Sequence, residues 1–215
     1  MKKTQKSVIK TVSLVGLFIV FIVGAFVFKM TQPRILHVKE LVSMGVITYQ
    51  KPKEISPFEL IDHNKQAFTK ESLKGHWTML FFGFSNCGGF CPATLAILNV
   101  FMNEIDSEVR DQTEVVMISV DPARDTPEAL AEYMAKFNSD FTGVTGDFLT
   151  TKRVSNQFHI GFQKSDKNEE NYEVSHGEQI ILINPEGEYY GFIKTPFTVG
   201  KLKVAYQSIV LSHKP

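Results

Sequence analysis

Both cysteines of the chain, Cys87 and Cys91, lie in a single run, FFGFSNCGGFCPATL. The run grows out of an almost wholly apolar stretch, Thr78 to Phe84, which is the pattern of a strand buried on both faces of a sheet. It breaks at Gly88-Gly89, and Pro92 then predicts a helix start, because proline is favoured at a first helical position and pushes the residue before it out of helical geometry. A buried strand that turns into a helix confines the chain to folds in which helices cover a sheet, and its thiols fall at the turn.

Two thiols four positions apart, with no others in the chain, have few options. They can form a disulfide with each other, share a soft metal ion, alternate between the two, or simply pack as small hydrophobes. They make a poor staple, because a disulfide gains by restricting the unfolded chain and that gain shrinks with the closed loop. A thiol at a helix N-terminus also feels the positive end of the helix dipole, which favours the thiolate that attacks disulfides and binds metals.

The rest of the chain from residue 56 to 213 reads as one compact α/β domain. Phe58–Ile61 is a short strand, and Leu95, Leu98, Met102, Ile105 and Val109 recur at helical spacing after the cysteine turn. Glu114–Val120 is the next buried strand. Thr126-Pro127 predicts a capped helix with Leu130, Met134 and Phe137 on its apolar face, and a further helix spans Phe148–Phe158. The charged stretch QKSDKNEEN, residues 163–171, reads as the tip of an inserted hairpin or loop. Two strands, Gln179–Asn184 and Glu188–Ile193, flank the turn Pro185-Glu186-Gly187, and Thr198–Ser212 closes the chain as a helix. This order, with cysteines at the first strand-to-helix junction, predicts a thioredoxin-like fold.

Ahead of this domain, residues 1–10 carry Lys2, Lys3, Lys6 and Lys10 without an acid. Residues 11–28, TVSLVGLFIVFIVGAFVF, carry no charge at all. As a helix of about 27 Å this segment matches a bilayer's hydrocarbon thickness. The lysines place the tail in the cytoplasm by the positive-inside rule and the folded domain across a bacterial inner membrane, on the periplasmic or extracytoplasmic side. A cleaved signal peptide ending near Val23-Gly24-Ala25 is the competing reading, but the apolar run continues through Phe26, Val27 and Phe28. Residues 29–55 read as a tether and lead-in, with a short strand at Val46–Tyr49. Net charge is zero, and removal of the basic leader leaves a mildly acidic remainder. That excludes the basic face a nucleic-acid partner requires. In an oxidising compartment the thiols tend towards a disulfide unless a reductant or a metal holds them apart.

A metal site needs a third donor. Of the six histidines, His37, His63, His76, His159, His176 and His213, most read as solvated or structurally satisfied, and His37 and His213 fall in the tether and tail. His176 precedes the apolar strand QIILIN at an edge where loops can reach the cysteine turn. Asp121, Arg124 and Asp125 follow a buried strand, where short polar groups commonly cap the next helix and pair with one another; the alternative is a partner-docking surface. Trp77, Met79 and the phenylalanines read as core.

At this point the chain resembles the Sco (SenC) family of membrane-anchored copper proteins. The matching segments are FFGFSNCGGFCPATL, VVMISVDPARDTPEAL, FTGVTGD and YEVSHGEQIILINPEGEY, in the family's order. The family usually has Pro-Asp where this chain has Gly88-Gly89, and Asp and Ser around the histidine where this chain has Ser175 and Gly177. The resemblance implies that Cys87, Cys91 and His176 bind copper, Cu(I) and also Cu(II) with an added weak ligand. It further implies a copper chaperone that assembles the dinuclear copper centre of cytochrome c oxidase. Its partners would be a copper donor and the oxidase's copper-bearing subunit or another copper acceptor. The alternative is a thiol-disulfide oxidoreductase with Cys87 and Cys91 as its redox pair, acting on cysteines of the oxidase subunit or another exported protein; a thiol peroxidase is a third use of the same fold.

Overall fold

The computed structural model describes residues 2–31, 34–165 and 172–213. It contains two units, residues 1–34 and 35–215. The first is one helix, α1 (Lys2–Thr31), in which Lys10–Met30 have a mean hydropathy of 2.7 over 21 residues. At 1.5 Å per residue that is about 32 Å, long and apolar enough to cross a membrane. The side chains described along it are exposed within the chain, as suits a segment whose solvent is lipid.

The second unit opens with α2 (Val38–Ser43), β1 (Val46–Glu54), β2 (Glu59–Asp62) and β3 (Ala67–Thr69), followed by a 3-10 turn at Lys70–Leu73. Next come β4 (Trp77–Gly83), α3 (Phe90–Glu104), α4 (Ser107–Arg110), β5 (Thr113–Ser119), α5 (Pro127–Ala135), β6 (Thr142–Thr145) and α6 (Phe148–Gln157). The chain ends with β7 (Phe162–Lys164), β8 (Val174–His176), β9 (Ile180–Ile183), β10 (Glu188–Ile193) and α7 (Val199–Ser212).

Eight strands form one mixed sheet in the order β1-β10-β9-β4-β5-β6-β2-β3. The strand β4 lies parallel to β5 and antiparallel to β9, and all seven of its residues are buried. Its side chains alternate between two cores. Met79 and Phe81 join Val115, Met117, Ile180 and Leu182 under α3, α5 and α7, while Leu80 and Phe82 join Val116, Ile118, Ile181 and Ile183 on the opposite face, towards α6. Period-two alternation inside a continuous apolar run is what a strand covered on both sides requires. Trp77 is buried at the start of β4, edge-on to Tyr190 and Tyr206, and Met79 lies in the core beneath α3, so neither is available to a ligand.

The structure is the thioredoxin-like α/β fold with its inserted hairpin. That hairpin is β7 and β8, a separate two-stranded sheet in which Phe162 faces His176. The expected loop tip, residues 166–171, lies outside the described residues.

Three expectations change. The lead-in is part of the fold from Ile35 onward, because β1 runs the full length of Val46–Glu54 and pairs with β10. The helix after the cysteine turn begins at Phe90 rather than Pro92. Proline is tolerated anywhere in the first turn, where the N–H groups have no intrahelical partner, so Cys91 is helical. The apolar spacing through Val109 is shared by two helices, since α3 ends at Glu104 and α4 starts at Ser107. The strands β3 and β6 are too short, at three and four residues, to stand out as periodic runs.

Docking of β1 against β10 depends on Gly191. A methyl group there would sit 2.2 Å from the Ile47 carbonyl oxygen and 2.9 Å from the Thr48 Cα, both backbone atoms that cannot swing away. Gly191→Ala is therefore expected to cost about 3 kcal/mol and to lower the melting temperature by about 6–12 °C. A calorimetric scan showing no shift would mean that β1 is not an integral strand.

Candidate metal centre

The site forms where β4 runs out. Gly83 ends the strand, and a methyl group on it would stand 3.0 Å from Cys91 Sγ, 3.1 Å from Phe81 and 3.2 Å from Met117 Sδ. A side chain at position 83 would press on the Cys91 sulfur, which settles over the strand end. The turn that follows carries Phe84, Ser85, Asn86 and Cys87, and the Cys87 N–H donates to the Phe84 carbonyl at 3.2 Å. Gly89 is the N-cap of α3, and no atom lies within 4 Å of where a side chain on Gly88 or Gly89 would start.

Because Cys91 sits in the first turn of α3, its backbone N–H has no helical acceptor. It donates to Cys87 Sγ at 3.4 Å. A helix N-terminal amide aimed at a sulfur stabilises negative charge on that sulfur. Cys91 itself is fully buried, whereas Cys87 is half-buried, and both are free thiols. Burial pushes the Cys91 thiol far above its usual range, and the neighbouring Cys87 and Asp125 add to the effect against a hydrogen bond from the Phe84 backbone.

His176 ends β8 and reaches the sulfurs from across the turn. Its Nε2 is 3.7 Å from Cys91 Sγ, and its Nδ1 is 3.0 Å from the Gly177 carbonyl oxygen. A carbonyl can only accept, so Nδ1 carries the proton and the Nε2 lone pair faces the cysteines. Phe84 and Phe90 frame the imidazole at ring-centroid distances of 6.0 and 5.9 Å. The donor atoms of Cys87, Cys91 and His176 all lie within 4.8 Å of one another.

The remaining histidines have other neighbours. His63 accepts from the Gly143 N–H, His76 lies 3.1 Å from Glu114, and His213 pairs with Glu186 at 3.0 Å. His37 and His159 are exposed, the first ahead of α2 and the second at a turn with φ of 58°.

The donor set suits a soft ion. Bonds of about 2.0–2.3 Å, the lengths zinc makes to thiolate and imidazole, place the donors of a three-coordinate site roughly 3.5–4 Å apart. The Cys91–His176 separation is already in that range. Two sulfurs and one nitrogen favour Cu(I) over hard cations. Zinc accepts the same atoms but takes a fourth ligand in structural sites, and among the described residues no further His, Cys, Asp or Glu joins the group.

Asp121 and Arg124 pair with one another as expected, but with Asp125 they do more than the sequence reveals. They do not cap α5, since Thr126 does that by accepting from the Ala129 N–H at 3.2 Å. Asp121 and Asp125 are buried, so they offer no docking surface. Instead Asp125 accepts hydrogen bonds from the Ser85 N–H, from Ser85 Oγ at 2.5 Å and from Ser119 Oγ at 2.5 Å. Burial raises its carboxyl above the usual carboxylate range, and the bonds from Ser119 and Ser85 oppose that. Asp121 accepts from Arg124 and, at 2.6 Å, from the Tyr172 hydroxyl. Sequence reasoning missed Ser85, Ser119, Tyr172 and the framing Phe84 and Phe90; their chemistry depends on partners 40 to 92 positions away, or, for Ser119, on an acceptor that no local rule supplies.

A thioredoxin-like domain with two thiols and an imidazole converging at its first strand-to-helix turn is the scaffold of a thiol and soft-metal protein. The SCO1/SenC family profile matches residues 47–209, and the chain belongs to that family. A SCO2-like protein of Rickettsia prowazekii is 33% identical over 193 residues, covering 87% of this chain and 90% of the relative. Among solved structures, Arabidopsis thaliana ScoI with copper bound aligns with a TM-score of 0.67 at 31% identity, covering 73% of this chain and 98% of that one. Yeast Sco1 with copper bound gives a TM-score of 0.68 at 29% identity, with coverages of 76% and 92%.

The unequal burial of the thiols predicts unequal reactivity. Iodoacetamide at pH 8 should modify Cys87 first, with Cys91 at least tenfold slower, because alkylation needs an accessible thiolate. Peptide mapping of singly alkylated protein checks this; label found mainly on Cys91 would contradict the geometry.

Proposed function

We propose that this protein is a membrane-anchored copper chaperone that holds Cu(I) through Cys87 Sγ, Cys91 Sγ and His176 Nε2. It delivers the ion to the dinuclear copper centre of cytochrome c oxidase. The observation that carries the reading is the convergence of these three soft donors, with the imidazole tautomer directing Nε2 at the sulfurs. The copper-bound state of the Arabidopsis and yeast relatives supports copper as the cargo. The helix Lys10–Met30 suits an anchor, with residues 1–10 in the cytoplasm and the folded domain outside, the orientation the N-terminal lysines favour.

Copper binding must displace the thiol protons, and the shared ion then passes to the acceptor by exchange of one ligand at a time. Of the two sulfurs, Cys87 is the more exposed and meets the acceptor before Cys91 does. In the full-length chain in detergent, His176→Ala should weaken Cu(I) binding about 100-fold, the upper end of the 10–100-fold that even supporting groups around a metal contribute. Competition against a chromophoric Cu(I) chelator measures it. An unchanged affinity would remove His176 from the ligand set.

The arrangement of the thiols also favours a second, compatible activity. Cys87, poised on a helix N-terminal amide, can attack a disulfide of the acceptor to give a mixed disulfide, and Cys91 then displaces the acceptor's second sulfur. Two electrons and two protons pass to the acceptor, and Cys87–Cys91 becomes oxidised. The same oxidation removes both sulfur donors. Copper release on mild oxidation is therefore expected to follow disulfide formation one for one, as read by paired metal and free-thiol assays; release without thiol loss would separate the two activities.

A further inference from the structure

We infer that the turn Asp121–Asp125 is a positioning clamp that sets the distance between the cysteine turn and His176. This rests on the reading of His176 as a copper ligand. The ligands arrive on structures that share no sheet: Cys87 and Cys91 follow β4 of the main sheet, while His176 ends the separate β7–β8 hairpin. One five-residue turn grips both. On one side the Asp125 carboxylate holds the N–H and hydroxyl of Ser85, two residues before Cys87. On the other, the Asp121 carboxylate holds the Tyr172 hydroxyl, four residues before His176.

Arg124 completes the second grip. Its Nη2 donates to the Tyr172 carbonyl at 3.0 Å, and its guanidinium lies 3.8 Å from the Tyr172 ring centroid. The turn itself is stiff: the N–H groups of Arg124 and Asp125 both donate to the Asp121 carbonyl, at 3.1 and 3.0 Å, and the Asp121 N–H donates to Ser119 Oγ. Ser119 Oγ donates in turn to Asp125, which ties the clamp to the end of β5. A group needed only to start α5 would not reach in two directions, and Thr126 already starts that helix.

The clamp acts through the ligands and not on the metal, so a double-mutant cycle tests it. In the full-length chain, Tyr172→Phe removes one hydroxyl and should weaken Cu(I) binding about tenfold, the scale of one hydrogen bond to a charged acceptor. In a His176→Ala background the same change should alter binding by less than about twofold, because the ligand it positions is gone. Nitrogen hyperfine structure in the spectrum of the Cu(II)-loaded protein should weaken in Tyr172→Phe while the sulfur charge-transfer band remains. Arg124→Lys, which keeps the charge and loses the planar reach to the Tyr172 carbonyl, runs the same cycle should Tyr172→Phe fail to fold. Equal losses in both backgrounds, or no loss in the wild-type background, would overturn the clamp. Should His176→Ala alone leave affinity unchanged, the ligand assignment itself fails, and that outcome is read independently of Tyr172.

Discussion

Burial of β4 on both faces is the constraint from which the rest of the domain follows. A strand with no solvent side must have strands on both edges and helices or loops over both faces, or its backbone and side chains remain unsatisfied. It receives β5 and β9 at its edges, α3, α5 and α7 on one face, and α6 on the other. Because β4 and β5 are parallel, the chain must cross over between them, and the crossover helix has to start just past the end of β4. The cysteine turn is that start. Gly83 then decides how closely the helix can approach, and the Cys91 sulfur occupies the space that a side chain on the strand would have filled.

Burial also gives the two thiols different characters from one sequence motif. Cys91 faces inward among Phe84, Val120 and the other residues of the second core, where charge is costly and the neutral thiol is favoured. Cys87 stands at the open side of the turn with a backbone amide pointed at its sulfur. A pair built this way has one sulfur that can meet a partner and one that stays protected until the first has reacted. The buried Asp125 nearby raises the stake, since an anion so placed needs several hydrogen bonds, and the ones it takes come from Ser85 and Ser119.

The architecture was legible where apolar periodicity was long. β4, β5, β10, α5, α6 and α7 lie within a residue or two of where the sequence puts them, because each buries a repeated face or carries a clear cap such as Thr126, Asp147 or Thr198. β1 was read as four residues of strand within a tether, since Lys51, Lys53 and Glu54 carry no apolar alternation; its place is set by pairing with β10, which is long-range information. Pro92 misplaced the helix start by two residues because proline is also tolerated in the third position of a first turn. At the site, spacing identified the cysteines and context pointed to His176, but neither could show the Nδ1–carbonyl bond that fixes its tautomer or the contact between Tyr172 and Asp121.

The three candidate donors are divided between the turn into α3 and the separate β7–β8 hairpin. An ion held by donors from one rigid element leaves only when that element is rebuilt, whereas an ion whose third donor rides on a separate hairpin can lose that donor by a small movement of the hairpin alone. The hairpin is not bare: Phe162 and Val174 are buried against the second core, and Lys152 Nζ donates to the Phe162 carbonyl at 2.8 Å. With the Tyr172–Asp121 and Arg124–Tyr172 bonds, its hold on the body is made through side chains and not through a strand ladder. A carrier must bind its cargo firmly and yet surrender it without unfolding. On the proposed copper reading, the two sulfurs on the turn and helix after β4 would keep the ion in place while the imidazole, on a hairpin held through side chains, is exchanged for a ligand of the acceptor.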